Sequence, residues 1–114
     1  MLMRKSLESK ILIRCPIIYR NRNKGIEYNL MYFGFECDDG WYELIYELSA
    51  AVEDAARSLK EGGVPEHLLP YVVQVKEKFG GLRFYVHNVS QQLDDLIEDV
   101  CERSFEVCSR CGKP

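Results

Sequence analysis

The stretch VVQVKEKFGGLRFYVHNV (residues 72–89) decides the reading of this chain. Two runs of alternating apolar and polar residues flank Gly80-Gly81. That is the pattern of two antiparallel strands joined by a two-residue turn. With the turn on Gly80-Gly81, Phe79 pairs with Leu82, Lys78 with Arg83, Glu77 with Phe84, Lys76 with Tyr85, Val75 with Val86 and Gln74 with His87. One face, Val73, Val75, Phe79, Leu82, Phe84 and Val86, is then core. The other carries Gln74, Lys76, Lys78, Arg83, Tyr85 and His87.

Working outward, the segment before the hairpin reads as a long helix. Trp41, Leu44, Ile45, Leu48, Val52, Ala55 and Leu59 recur at spacings of three and four. Asp38-Asp39-Gly40 supplies cap residues before it, and Gly62-Gly63 closes it. After the hairpin, Ser90 is an N-cap candidate. Leu93, Leu96, Ile97, Val100, Cys101, Ser104 and Phe105 then form the stripe of a final helix. Near the start, Leu7, Ile11 and Cys15 mark a short N-terminal helix with Ser6 as its cap and Pro16 at its end. Between the first two helices, Asn21–Gly25 is a polar turn with Arg20, Arg22 and Lys24. Tyr28–Phe35 is a candidate third strand, because a bare hairpin is a marginal sheet.

The expectation is one α+β domain over residues 1–114. A small antiparallel sheet with a central hairpin (about 72–88) packs against two main helices (about 40–61 and 90–106), with a short N-terminal helix added. A chain of 114 residues can bury its own core. The net charge of −3 argues against whole-protein attraction to nucleic acid, so any basic site is local. No apolar run approaches the roughly 18 residues of a membrane span. MLMRKSLESKILIRCP lacks a signal-type apolar core, and a cytoplasmic protein is expected. Five cysteines in a reducing compartment argue against a disulfide framework.

Three places could carry chemistry. Cys108-x2-Cys111-Gly112 has the spacing of a zinc knuckle, in which a short loop aims two thiolates at one ion. It is half of a four-ligand site, so two readings stay open: zinc, or free thiols. Cys101 falls on an apolar stripe and reads as a small buried thiol rather than a ligand. His67 and His87 read as single histidines. If zinc binds, a site shared by two chains, each giving Cys108 and Cys111, is favoured, and a homodimer follows. A redox role for the pair is disfavoured, because the motif follows a helix instead of opening one. The second place is the hairpin face with Lys76, Lys78, Arg83, Tyr85 and His87. It is either a docking surface for an acidic partner or a solvated face neutralised by a neighbouring helix. The third is Glu77, opposite Phe84 on the apolar face. It is either a catalytic acid or, more simply, a carboxylate at a sheet edge or beside an arginine.

FGFECDDGWYELIYELSAAVE, VVQVKEKFGGLRFYV and CSRCGKP, with ILIRCPIIYRNR upstream, resemble a group of small phage, prophage and bacterial proteins. In many members the chain continues to a second Cys/His pair that would complete a zinc ribbon; this sequence shows the first pair. The resemblance implies no catalytic activity. It implies a role in host modulation, anti-defence or immunity, exerted by binding. No Ser/His/Asp set, HExxH or phosphate-cradling loop is present. The first expectation is therefore a non-enzymatic binding protein acting on a protein partner, which an exposed edge strand would serve by β-augmentation. The alternatives are a zinc-knuckle nucleic-acid-binding module using Lys76, Lys78 and Arg83, and a small enzyme using Glu77 or His87.

Overall fold

The computed structural model describes residues 2–24 and 30–113. It contains three helices and a three-stranded mixed sheet. The elements are α1 (Lys5–Arg14), β1 (Phe35–Glu36), α2 (Tyr42–Glu61), β2 (Tyr71–Lys78), β3 (Gly81–His87) and α3 (Gln91–Arg103). The sheet order is β1-β2-β3. The β2–β3 pair is antiparallel, as expected. The third strand differs from expectation: it is Phe35–Glu36 alone, and it runs parallel to β2. Leu30–Phe33 forms a 3-10 turn before it. Tyr28 and Asn29 of the expected strand, and Gly25 of the expected polar turn, lie outside the described residues.

The hairpin forms where the alternation placed it, but the register is offset by two. Lys78 pairs with Gly81, Glu77 with Leu82, Lys76 with Arg83, Val75 with Phe84 and Gln74 with Tyr85. The two loop residues are Phe79 and Gly80, with φ of 54° and 84°. Two successive positive φ angles are what a type I′ turn requires. Gly80 meets that at no steric cost, whereas Phe79 holds a conformation that costs a bulky residue of order 1–3 kcal/mol. The Glu77 carboxylate fixes the loop by accepting the Gly80 N–H at 2.6 Å. Gly81 is glycine for space: a Cβ there would run into the Phe105 ring. At the open end, Val73 is a bulge between Val72↔Val86 and Gln74↔Tyr85. Val72 thereby takes the core position expected for Val73, and Phe79 leaves the core altogether, 85% exposed.

Residues from α1, α2, α3 and one face of the sheet share a single apolar cluster around Trp41, Ile45, Leu48, Val75 and Leu82. Two carboxylates lie inside it. Glu53 of α2 is fully buried and accepts the Ile17 and Ile18 N–H groups at 3.2 and 3.0 Å, with Arg57 at 3.4 Å. Glu8 of α1 accepts the Phe35 N–H at 3.1 Å. Glu53 ties the loop after α1 to α2 and Glu8 ties β1 to α1, which explains why an acid is tolerated at these buried positions. Burial pushes the Tyr19 hydroxyl far up from its ordinary range while it shares a 2.7 Å hydrogen bond with Ser49.

Helix boundaries follow the caps. Ser90 Oγ accepts the Leu93 N–H, as expected. Ser6 does not cap α1: that place falls to Arg4, whose N–H donates to Asp39 at 2.8 Å. Towards the end of α2 the buried position is Ala56, and Leu59 is 40% exposed. No helix among the described residues is long and apolar enough to cross a membrane.

Each sheet edge has backbone groups already engaged. On β1, Phe35 donates to Glu8 and its carbonyl accepts from the Met3 N–H at 3.3 Å. On β3, the Leu82 N–H donates to Ser104 Oγ at 2.8 Å. Ser104, just past the end of α3, thus occupies one of the donors that an incoming strand would need. A strand added by β-augmentation would meet Phe35 and the Leu82 N–H already engaged.

Candidate functional site

The five hairpin residues singled out in the sequence share the outer face. The offset of two keeps each side chain on its side, so the set survives the change of register. Lys76 stands directly opposite Arg83, Tyr85 opposite Gln74 and His87 opposite Tyr71. The expected Lys78–Arg83 pair is corrected to Lys76–Arg83, still a like-charge pair and still unfavourable by itself. Among the described residues, no carboxylate lies within ion-pair distance of Lys76, Lys78 or Arg83. Tyr85 is 44% exposed. Tyr71, which the sequence reading passed over, adds an aromatic end to this face. Its ring lies 5.3 Å from His87, and the Arg20 guanidinium sits 5.5 Å from its centroid.

Arg20 is not a free cation for a ligand. Its Nη1 donates to the Ile17 and Pro70 carbonyls, both at 2.8 Å. Its Nη2 donates to those of Glu66 and Leu69 at 2.8 and 2.9 Å. This arginine pins the loop between α1 and β1 to the start of β2. The planar fork of guanidinium donors suits that role as a lysine would not. Of the cations around the polar turn, Arg20 is thus committed to structure.

Glu77 is exposed and pairs with Leu82, not Phe84. With its carboxylate on the turn amide, it lacks the burial on which the catalytic-acid reading rested. His87 is exposed beside Tyr71, and the His67 carbonyl accepts from Asn88 at 3.2 Å.

The C-terminal cysteines form a shaped loop. Cys108 N–H donates to the Lys113 carbonyl at 2.7 Å, and Gly112 N–H donates back to the Cys108 carbonyl at 2.8 Å. Gly112 has φ 79°, a left-handed position that glycine fills without strain. The backbone N–H groups of Cys111 and Arg110 point at the Cys108 sulfur. They pull its thiol below the ordinary range, helped by the Cys111 side chain. Both thiols are exposed. This loop is docked on the start of α2: the Gly40 N–H donates to the Ser109 carbonyl at 2.7 Å, and Trp41 Nε1 donates to the Val107 carbonyl at 2.9 Å. A Cβ at Gly40 would overlap the Cys108 and Ser109 backbone. Asp38-Asp39-Gly40-Trp41 is therefore both a helix start and a seat for the knuckle.

The other cysteines are elsewhere. Burial pushes the Cys15 and Cys37 thiols up to about 12. Burial also raises Cys101, partly offset by the Phe84 N–H. Among the described residues, no third histidine, cysteine or carboxylate joins Cys108 and Cys111 in a metal-binding group. A direct consequence is an order of reactivity. In the native protein at neutral pH, iodoacetamide should modify Cys108 first and Cys111 next, leaving Cys15 and Cys37 intact until denaturant is added. Peptide mass mapping over time checks it, and early alkylation of Cys37 would contradict the burial described.

Comparison of the chain with protein families, with curated proteins and with solved structures finds no match in any of the three.

Proposed function

We propose that the chain is a non-enzymatic binding protein whose outer hairpin face, Lys76, Lys78, Arg83, Tyr85 and His87, docks an acidic surface of a protein partner. The observation that carries this is the Lys76–Arg83 pair. Two like charges stand directly opposite each other, and neither makes an ion pair among the described residues; the neighbouring Glu36 carboxylate, next to Lys76 on β1, accepts from Gln74 at 3.1 Å instead. The Lys76–Arg83 juxtaposition is unfavourable by itself, whereas an acidic partner would convert it into attraction. The resemblance to phage and prophage proteins supports a host-modulating, anti-defence or immunity role.

The test is crosslinking and recovery of bound protein by the wild type and by a Lys76→Glu, Arg83→Glu double variant. Both positions lie on the outer face, so folding should be kept, and recovery should fall by about tenfold or more. Equal recovery would remove the hairpin face from the account.

A second reading is a zinc-knuckle nucleic-acid module, favoured by the Arg20–Tyr71–His87 stack beside the cations. Cys108 and Cys111 fit two positions of a structural thiolate zinc site, with N–H donors already turned to one sulfur. Sharing between two chains would supply four thiolates. Single-stranded DNA or RNA retained by the wild type, with affinity falling steeply with salt and lost in the same double variant, would move the conclusion to this reading.

A further inference from the structure

We infer that this chain associates with further copies of itself head to tail, the Phe79 ring of one copy entering an apolar groove at the far end of the next. Two unexplained features meet in this contact. Phe79 is a large aromatic side chain, 85% exposed, held at the tip of the hairpin with φ 54°. Asparagine or glycine would make the turn without strain, so the turn itself does not call for phenylalanine. The second feature is a groove of about 310 Å³ lined by Ala55, Leu59, Pro70 and Leu93, with Ser58, Asn88 and Ser90 among its polar residues. A cavity of ~150 Å³ already holds a benzene ring, so the groove has room for the Phe79 side chain.

Charge selects the groove. Lys76, Lys78 and Arg83 surround the base of the tip. Asp94 and Asp95 follow Leu93 in the first turns of α3, and Glu61 ends α2 two residues past Leu59; the cations on that part of α2 are Lys60 and Arg57, the latter paired with Glu53 at 3.4 Å. The groove of about 350 Å³ lined by Ile13, Tyr42 and Tyr46 is also apolar, but Lys10 and Arg14 line it and would repel the tip. Geometry sets the mode. Pro70 and Asn88 flank the open end of the hairpin, and the eight residues of β2 put about 26 Å between that end and the tip. A copy cannot fill its own groove. Knob and groove are different surfaces, so the contact is heterologous and does not close at two copies.

The experiment is sedimentation velocity on the wild type, Phe79→Asn, Leu59→Glu and an equimolar mixture of the two variants. The wild-type average mass should climb with concentration past two copies, with a dissociation constant on the order of 100 μM for so small a contact. Each variant alone should stay at one copy. The mixture should give a 1:1 dimer and nothing larger, because Phe79→Asn keeps the groove and Leu59→Glu keeps the knob. Phe79→Asn should melt at or above the wild type, so its loss of association is not misfolding. Should Leu59→Glu fold poorly, Asp94→Lys with Asp95→Lys takes its place as the groove variant. A wild type of single-copy mass up to roughly 1 mM, a plateau at two copies, or a mixture no heavier than its components each overturns the inference.

Discussion

Glu53→Ala should destabilise the protein by about 4 kcal/mol and lower its melting temperature by roughly 15 °C. Glu53 is fully buried, and its two oxygens receive the Ile17 and Ile18 N–H groups. Truncation strands both donors, and a stranded buried donor costs ~1–3 kcal/mol. It also leaves the Arg57 guanidinium without this partner and opens a void in the core. Glu53→Gln separates these contributions. The amide keeps the volume and one acceptor oxygen but turns an NH2 towards the second N–H, so its cost should be about half. Chemical denaturation of the three proteins decides the matter. A Glu53→Ala variant within 1 kcal/mol of wild type would mean that the loop after α1 finds other acceptors.

This carboxylate also shows where sequence reading stops. Glu53 lies on the α2 stripe one residue after Val52, and nothing in the pattern of spacings separates a buried acid from a solvated one. What identifies it is the distant CPIIY segment, whose turn leaves N–H groups facing α2. The hairpin shows the same limit at finer scale. Alternation fixed which residues share a face. It could not fix register, because a slide of two residues preserves every face and one glycine pair fits either turn. The observed register goes with one contact from outside the hairpin, the Phe105 ring over Gly81, and with a bulge inside β2 at Val73 that the alternation did not signal. Ser104 read as an ordinary stripe residue, and its role as acceptor for the Leu82 N–H needed the sheet in place. The knuckle loop was legible as C-x2-C-G. Its seat was not, because Gly40 reads as a cap residue until Cys108 and Ser109 are placed against it.

Trp41→Ala should cost about 4 kcal/mol and free the knuckle loop in the same step. The ring is fully buried among the residues of the apolar cluster, and deletion of a core aromatic costs ~3–5 kcal/mol. Its Nε1 also holds the Val107 carbonyl at 2.9 Å. Trp41→Phe keeps most of the apolar ring and gives up that hydrogen bond, so its cost should be about 1–2 kcal/mol. Gly40→Ala leaves the core alone and drives a Cβ into the Cys108 and Ser109 backbone. No side-chain rotation can relieve that contact, so the loop must lift away. If docking and core are separate, Gly40→Ala should expose the chain after Phe105 to protease while the main unfolding transition moves by ~2 kcal/mol or less. Trp41→Ala should do both. The pair also bears on the thiols. A Cys108 sulfur held by its own loop amides should keep its early alkylation in Gly40→Ala, because those donors come from Arg110 and Cys111. Loss of that early reaction would instead mean that the seat on α2 shapes the loop, and that the fold around Gly40 and Trp41 is what prepares the two cysteines to act together.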